Sequence, residues 1–225
     1  MIDWSAIDTV LLDMDGTLLD LHFDNHFWQH HLPRRFAELH GLDPQASTRD
    51  LHGRFTRERH RLSWYCTDYW SAELAVDIIA LKREVEHLIG ERPWANAFLR
   101  ALGDQGRARI LITNAHRDSL DLKLRRTSIG SGLDRLISSH DYGAPKEDPR
   151  FWSRLAGEVQ LDPARTLFID DSEPVLRAAR DYGIGHLLCV RAPDSRRPPR
   201  EELEFPSLDC FSDLLPVHQL PAHQQ

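Results

Sequence analysis

The hydrophobic pattern of the chain alternates between short apolar runs and longer polar segments with helical spacing. Runs rich in Val, Ile and Leu predict strands: TVLLD, ARILIT, RLISS, TLFID and HLLCV, at residues 9–13, 108–113, 135–139, 166–170 and 186–190. Because these runs are continuous, they indicate strands that are covered on both faces, as in a parallel sheet with crossover helices. The sequence therefore predicts an α/β fold.

The segment between the first two predicted strands contains no strand candidate. Its amphipathic stretches predict about three helices, the first interrupted at Pro33: DNHFWQHHLPRRFAELHG, PQASTRDLHGRFTRERHR and DYWSAELAVDIIALKREVEHLIG. Such an insert is much longer than an ordinary crossover connection. We expect a helical cap at residues 21–92, a core formed by residues 1–20 and 93–215, and a flexible, proline-containing tail at 216–225.

Composition and charge narrow the possible partners. The 225 residues are 41% hydrophobic and 28% charged, which is typical of a folded globular protein. The net charge of −7, with no sustained Lys/Arg run outside SRRPPR, argues against a nucleic-acid-binding surface. No stretch has the length of a membrane span and the N-terminus lacks a signal-peptide pattern, so we expect a cytoplasmic protein without a membrane partner. Nothing in the sequence implies a protein partner.

The cysteine and histidine patterns give little support for a thiol or soft-metal site. The cysteines are far apart and in no CxxC spacing, which favours buried or free thiols over a disulfide framework or a zinc site. Histidines at i, i+4 and i+8 in the insert share one helical face, where a solvated or substrate-facing surface is favoured over a metal site. These residues are Cys66, Cys189 and Cys210, and His22, His26 and His30.

Polar side chains follow the predicted strands at the points where these strands end. In open parallel sheets, ligands bind outside the carboxyl ends of the strands, so we expect these side chains to converge. Carboxylates without His or Cys favour Mg²⁺, which would relieve their mutual repulsion, and a lysine adds fixed positive charge. The residues at the strand ends are Asp13, Asp15, Thr113, Asn114, Asp170 and Asp171, and Lys146 lies in the loop after the third predicted strand.

The motifs DMDGT, ILITN, PKED and FIDDSE, in this order and at these strand ends, resemble the four signature motifs of the haloacid dehalogenase-like hydrolase superfamily. The insert resembles the C1-type cap of that superfamily. The resemblance implies a Rossmann-like core, Mg²⁺ as cofactor and a phospho-aspartyl intermediate.

The resemblance also implies a role for each matching residue. Asp13 would be the nucleophile and Asp15 the general acid and base. Thr113 would donate a hydrogen bond to the phosphoryl group, and Lys146 would neutralise its charge. The implied metal ligands are Asp13, Asp15, Asp170 and Asp171, although the last of these serves some members as a partner of the lysine.

Residue 15 distinguishes activities within the superfamily. Dehalogenases have no acid at this place, because a halide leaving group needs no proton, so Asp15 favours hydrolysis of a phosphate monoester. Thr17 after Gly16 favours a phosphatase over a phosphomutase. A phosphosugar phosphatase, a phosphomutase and a non-enzymatic Mg²⁺-dependent binding module stay open as alternatives.

Longer stretches are similar to the bacterial GMP/IMP nucleotidases of this superfamily: LLDMDGTLLDLHFDNHFWQ, WYCTDYW, ILITNAH, PKED and TLFIDDSE. This resemblance implies hydrolysis of the 5'-phosphate of purine mononucleotides, a small-molecule substrate. The predicted substrate-binding residues are Trp64, Tyr65, Trp70, Asn114 and His116. For the aromatic residues among them, the alternative is that they form the hydrophobic core of the cap.

Overall fold

The computed structural model describes residues 2–217 and contains a six-stranded sheet in the order β3-β2-β1-β4-β5-β6, with every neighbouring pair parallel. The strands are β1 (Thr9–Leu12), β2 (Ala108–Thr113), β3 (Arg135–Ser138), β4 (Thr166–Asp170), β5 (His186–Val190) and β6 (Ser207–Leu208). The α/β prediction and the five predicted strands are confirmed. The sixth strand has only two residues, too few to produce a hydrophobic run.

Helices cover both faces of the sheet. The core helices are α6 (Ala95–Asp104), α7 (Arg117–Arg126), α8 (Ser139–Tyr142), α9 (Pro149–Glu158) and α10 (Glu173–Tyr182). Alternate β1 residues point to opposite faces, so Val10 packs in the cluster with α6 and α7, whereas Leu11 packs in the cluster with α9 and α10. Burial on both faces explains the continuous apolar runs.

The insert after β1 forms a separate helical layer. Its helices are α1 (His22–His26), α2 (Leu32–His40), α3 (Pro44–Glu58), α4 (Thr67–Leu74) and α5 (Ile78–Glu84). They share a buried cluster that includes Phe27 and Trp70 and also contacts Leu122 of the core helix α7. The predicted helical cap is therefore present. Its boundaries at 21–92, and those of the core at 1–20 and 93–215, stay predictions.

Two helix predictions within the cap were wrong. Pro33 does not interrupt the first helix, because a π-helical stretch, Phe27–His31, joins α1 to α2 and Pro33 lies directly after it, in the first turn of α2. The third predicted helix is split into α4 and α5. Ala75 adopts a left-handed conformation with φ of 51°, and Asp77 caps α5 by accepting a hydrogen bond from the Ala80 N–H.

The end of the described chain packs on the core. A 3₁₀ helix, Phe211–Leu214, follows β6, and the ring of Phe211 stacks on Phe98 of α6 at a centroid distance of 5.1 Å. Of the predicted flexible tail, Pro216 and Val217 are described, and Val217 is buried. Residues 218–225 lie outside the described residues. Within residues 2–217, no helix combines the length and the apolar character needed to cross a membrane.

Candidate active site

The turn after β1 holds the first two acids at the carboxyl edge of the sheet. The Asp13 N–H donates to the Ile169 carbonyl of β4 at 3.0 Å, which continues the strand pairing into the site. Gly16 then adopts a φ of +89°, and a Cβ atom at this position would lie 2.7 Å from the Asp171 Cγ. Only glycine fits this close turn. The Thr17 N–H donates to the Met14 carbonyl at 3.4 Å.

Lys146 lies at the centre of the acids. Its Nζ donates to Asp13 Oδ1 at 2.5 Å, to Asp170 Oδ2 at 2.7 Å and to the Ile112 carbonyl at 3.2 Å. Burial raises the pKa of Asp13 to about 6, although the Lys146 ammonium opposes this. Burial opposes ionisation of Lys146 too, but the two carboxylates together raise its pKa above the ordinary value. The lysine is thus held as a cation.

Negative charge at this edge exceeds what Lys146 compensates. Carboxylate oxygens of Asp13, Asp170 and Asp171 all lie within 4.8 Å of one another. Burial raises the pKa of Asp171 well above its ordinary value, and the charges of Asp170 and Asp13 raise it further. Crowded oxygen donors with no His or Cys among them are the set that suits Mg²⁺. The three acids therefore fit the cofactor that the motifs imply.

Asp15 lies outside this group of three, and its carboxylate has a different partner. The Lys123 Nζ of α7 donates to Asp15 Oδ1 at 2.6 Å. Burial raises the pKa of Asp15 to about 6, with Lys123 opposing the shift. The side chain of Asp15 therefore gives no support to its predicted role as a metal ligand, whereas its position beside Asp13 is compatible with proton transfer.

Lys123 belongs to a buried chain of alternating charges that joins the core to the cap. Its Nζ also donates to Asp24 Oδ2 of α1 at 2.6 Å, and the Lys82 Nζ of α5 donates to Asp24 Oδ1 at 2.9 Å. Both lysine side chains are only 2% exposed. Burial opposes ionisation of Asp24, but the two lysines lower its pKa. Sequence reasoning missed all three residues.

Thr113 and Asn114 end β2 beside the acids. The Thr113 hydroxyl accepts a hydrogen bond from the Ala115 N–H at 3.1 Å. Asn114 Oδ1 accepts from the Lys146 N–H at 2.8 Å, and its Nδ2 donates to Glu147 Oε2 at 2.9 Å. The Asn114 amide thus fixes the loop that carries Lys146.

A cavity of about 540 Å³ extends from the acids to the aromatic side chains of the cap. Its wall includes most of the predicted site residues: Asp13, Asp15, Trp64, Tyr65, Trp70, Thr113, Asn114, Lys146, Asp170 and Asp171. Lys82, Lys123, Gln29, His52, Thr56 and Arg59 add polar groups. His116 does not line it, so the structure leaves that residue apart from the other predicted substrate-binding residues.

The cap aromatics both pack together and face the cavity. Trp70 is 1% exposed, and its Nε1 donates to the Trp64 carbonyl at 2.9 Å. The Tyr65 hydroxyl donates to Glu147 Oε1 at 2.6 Å, which links the cap to the Lys146 loop of the core. Burial and the Glu147 carboxylate raise the pKa of Tyr65 far above its ordinary value, so the hydroxyl stays a donor.

The histidine face formed by α1 and the following π-helical stretch gains no support as a metal site. The rings of His22, His26 and His30 lie 5.9 and 5.8 Å apart between successive centroids. Within residues 2–217, the groups whose donor atoms come close enough to share an ion contain none of the three. Burial and the neighbouring histidines lower the pKa of His26.

Comparison with known families agrees with this geometry. The model of the haloacid dehalogenase-like hydrolases matches residues 7–183, which is most of the chain. The protein belongs to this hydrolase family. The GMP/IMP nucleotidase YrfG of Escherichia coli (strain K12) is 44% identical over 215 residues, which cover 96% of this chain and 97% of that protein. With the family match, this identity makes the chain a phosphoric monoester hydrolase.

Solved structures support the same fold. The crystal structure of a HAD phosphatase from Thermococcus onnurineus superposes with a TM-score of 0.75 at 17% identity, covering 92% of this chain and 96% of that one. A HAD family hydrolase from Deinococcus radiodurans R1, with bound phosphate and sodium, gives a TM-score of 0.61 at 21% identity over 93% and 94%. At such identities the likeness shows the fold alone, and it confirms the Rossmann-like core with a helical cap.

Proposed function

We propose that the protein hydrolyses the 5'-phosphate of purine nucleoside monophosphates, with GMP and IMP as substrates. The observation that carries this proposal is the cavity that connects the acid cluster to the aromatic wall of the cap. A phosphate at the acids and a flat purine against Trp64 and Trp70 would occupy its two ends. The identity to the GMP/IMP nucleotidase supports the same substrate class.

Asp13 is the proposed nucleophile. Its carboxylate attacks the phosphorus atom, the bond from phosphorus to the ribose 5'-oxygen breaks, and a phospho-aspartyl intermediate forms. Two anions repel each other, so the phosphoryl oxygens must be neutralised before this attack. Lys146 supplies one fixed positive charge beside Asp13, and Thr113, which lines the cavity, is the proposed hydrogen-bond donor to the phosphoryl group.

Asp13, Asp170 and Asp171 are the proposed holders of Mg²⁺. The bound ion would withdraw charge from the phosphoryl oxygens and reduce repulsion among the carboxylates. Asp170 is already oriented, because its Oδ1 accepts a hydrogen bond from the Ser172 N–H at 2.7 Å.

Asp15 is the proposed proton carrier. In its protonated form it gives a proton to the departing 5'-oxygen, and as a carboxylate it takes one from the water that hydrolyses the intermediate to orthophosphate. A pKa near 6 suits both roles at neutral pH. The Lys123 contact holds the carboxyl group in place.

Phosphate release from a panel of nucleoside monophosphates and sugar phosphates tests the proposal. We expect Mg²⁺-dependent release concentrated on GMP and IMP, lost with a chelator and lost in Asp13→Asn. Release mainly from sugar phosphates would retain the mechanism and overturn the substrate. Transfer of phosphate to a second position on the sugar, without free phosphate, would indicate a mutase.

A further inference from the structure

Three side chains from separate elements meet beside the cavity, outside its wall. Cys66 precedes α4 of the cap, His116 precedes α7 of the core, and His140 lies in α8. One sulfur or ring nitrogen of each lies within 4.8 Å of the others. The cluster therefore spans the junction between cap and core.

His140 presents a buried nitrogen that lacks a partner. Its Nε2 is buried and makes no hydrogen bond within residues 2–217, whereas the ring donates to the Asn114 carbonyl. The proton must therefore be on Nδ1, which leaves the lone pair of Nε2 unused. A ring N–H that donates to a backbone carbonyl while the other nitrogen is free is the arrangement of metal-bound histidines.

The other two side chains are oriented by their neighbours. The Thr67 hydroxyl lies 2.8 Å from His116 Nδ1, and the rings of His116 and His140 are nearly perpendicular with centroids 4.9 Å apart. Cys66 Sγ accepts a hydrogen bond from the Tyr69 N–H at 3.4 Å. These contacts hold the donor atoms near one point.

Negative charge surrounds the cluster. Carboxylate oxygens of Asp68 and Asp118 lie 3.7 Å from nitrogens of His116. A cation is favoured here over an anion.

We propose that Cys66, His116 and His140 bind a zinc ion that ties the cap to the core. One thiolate with two neutral imidazoles is a ligand set that selects Zn²⁺ over Mg²⁺ and leaves a fourth position open. The site is separate from the carboxylate cluster and does not depend on the substrate. Since Tyr65 and Ala115 are adjacent to the ligands and line the cavity, the ion would fix that part of the wall.

Co²⁺ replaces Zn²⁺ as a spectroscopic probe, and the full chain in saturating Mg²⁺ is the sample. Thiolate bound to Co²⁺ produces an intense near-ultraviolet charge-transfer band that carboxylate ligands do not produce. We expect the wild type to develop this band with one equivalent of Co²⁺ and to lose it on addition of Zn²⁺. Cys66→Ser should show no band. Loss of a hydrogen bond that supports a metal ligand weakens metal binding by about 10- to 100-fold. His140→Gln removes a ligand itself, so it should weaken zinc binding by more than this.

Two matched controls make the result specific. Cys210→Ser removes another partly exposed free thiol and should retain the band. Asp13→Asn should also retain it although phosphate release is lost, which separates this proposal from the proposed function. Absence of the band in folded wild type, or an unchanged band in Cys66→Ser, would overturn the site. As a second measurement, Zn²⁺ should raise the Tm of the wild type and Cys210→Ser, and an equal rise in Cys66→Ser or His140→Gln would also overturn it.

Discussion

Gly16 is the residue at which the turn after β1 comes closest to the acid cluster. Its φ of +89° costs other residues about 1–2 kcal/mol, and a Cβ atom here would push Asp171 away. We expect Gly16→Ala to lower the free energy of unfolding by about 1–3 kcal/mol and to reduce kcat. Urea unfolding and phosphate release measure the two effects.

Gly41 provides the control for backbone strain. Its φ is +63°, but a Cβ atom there would contact nothing within 4 Å. Gly41→Ala should therefore cost about 1–2 kcal/mol of stability and leave phosphate release unchanged. Equal phosphate release by Gly16→Ala and Gly41→Ala would contradict the role that we assign to the close turn.

The proposed role of Asp15 can be tested by changing the leaving group of the substrate. An amide neither gives nor takes the proton, so Asp15→Asn should lower kcat on GMP by about 10²- to 10⁴-fold. With p-nitrophenyl phosphate, whose leaving group needs no proton, the first step should survive while hydrolysis of the intermediate slows. Rapid mixing should show a burst of nitrophenolate in Asp15→Asn and none in Asp13→Asn. Steady turnover without a burst would exclude Asp15 as the base.

The buried charges of Asp24, Lys82 and Lys123 connect α7 of the core to α1 and α5 of the cap. Asp24→Asn leaves Lys82 and Lys123 buried with only Asp15 as an acidic partner. Breaking a buried ion pair typically costs about 3–5 kcal/mol, and we expect a loss of this size in urea unfolding.

An exposed ion pair is the matched control. Asp209 pairs with Arg191 at the surface. Asp209→Asn should therefore lower the free energy of unfolding by only about 0–1 kcal/mol. If Asp24→Asn and Asp209→Asn cost the same, the charge chain does not hold the cap to the core.

The elements differ in how well the sequence predicts them. β1, β2 and β4 were predictable because burial on both faces produces continuous apolar runs, and the acids, Thr113 and Asn114 because they end or directly follow those runs. Lys146 lies further along the chain, in the loop after β3 and α8. The division between α4 and α5 was missed although Asp77 before Ile78 is an N-cap pattern. Ion pairing between α1, α5 and α7 is a tertiary feature. Its one sequence signal is Lys123, three residues after the buried Leu120 on the same helical face.

Distance along the sequence also explains why no metal site was predicted at Cys66. Spacing rules find metal sites whose ligands are close in sequence, whereas Cys66, His116 and His140 come from three distant segments. The prediction that the cysteines have no zinc site rested on spacing alone. The proposed zinc site replaces that prediction for Cys66 and keeps it for Cys189 and Cys210.

In the whole molecule, the cap and the core together enclose the cavity, so we expect catalysis to depend on the contacts between them. The cap contacts the core through the ion pairs of Lys123 with Asp15 and Asp24, and also through the hydrogen bond from Tyr65 to Glu147. Because Glu147 also accepts from Asn114, which in turn fixes Lys146, we expect a movement of the cap to be transmitted to Lys146, the proposed charge-neutralising lysine.

Tyr65→Phe tests this coupling by removing one hydroxyl. A hydrogen bond to a charged group contributes about 1.5–3 kcal/mol, so kcat/KM for GMP should fall about tenfold or more, with a smaller fall for p-nitrophenyl phosphate, which leaves most of the cavity unfilled. Tyr142→Phe is the control, because it removes a similar hydrogen bond to Glu158, at 2.7 Å, away from the cavity. Equal losses in both variants would mean that general stability, and not the contact between cap and core, sets the rate.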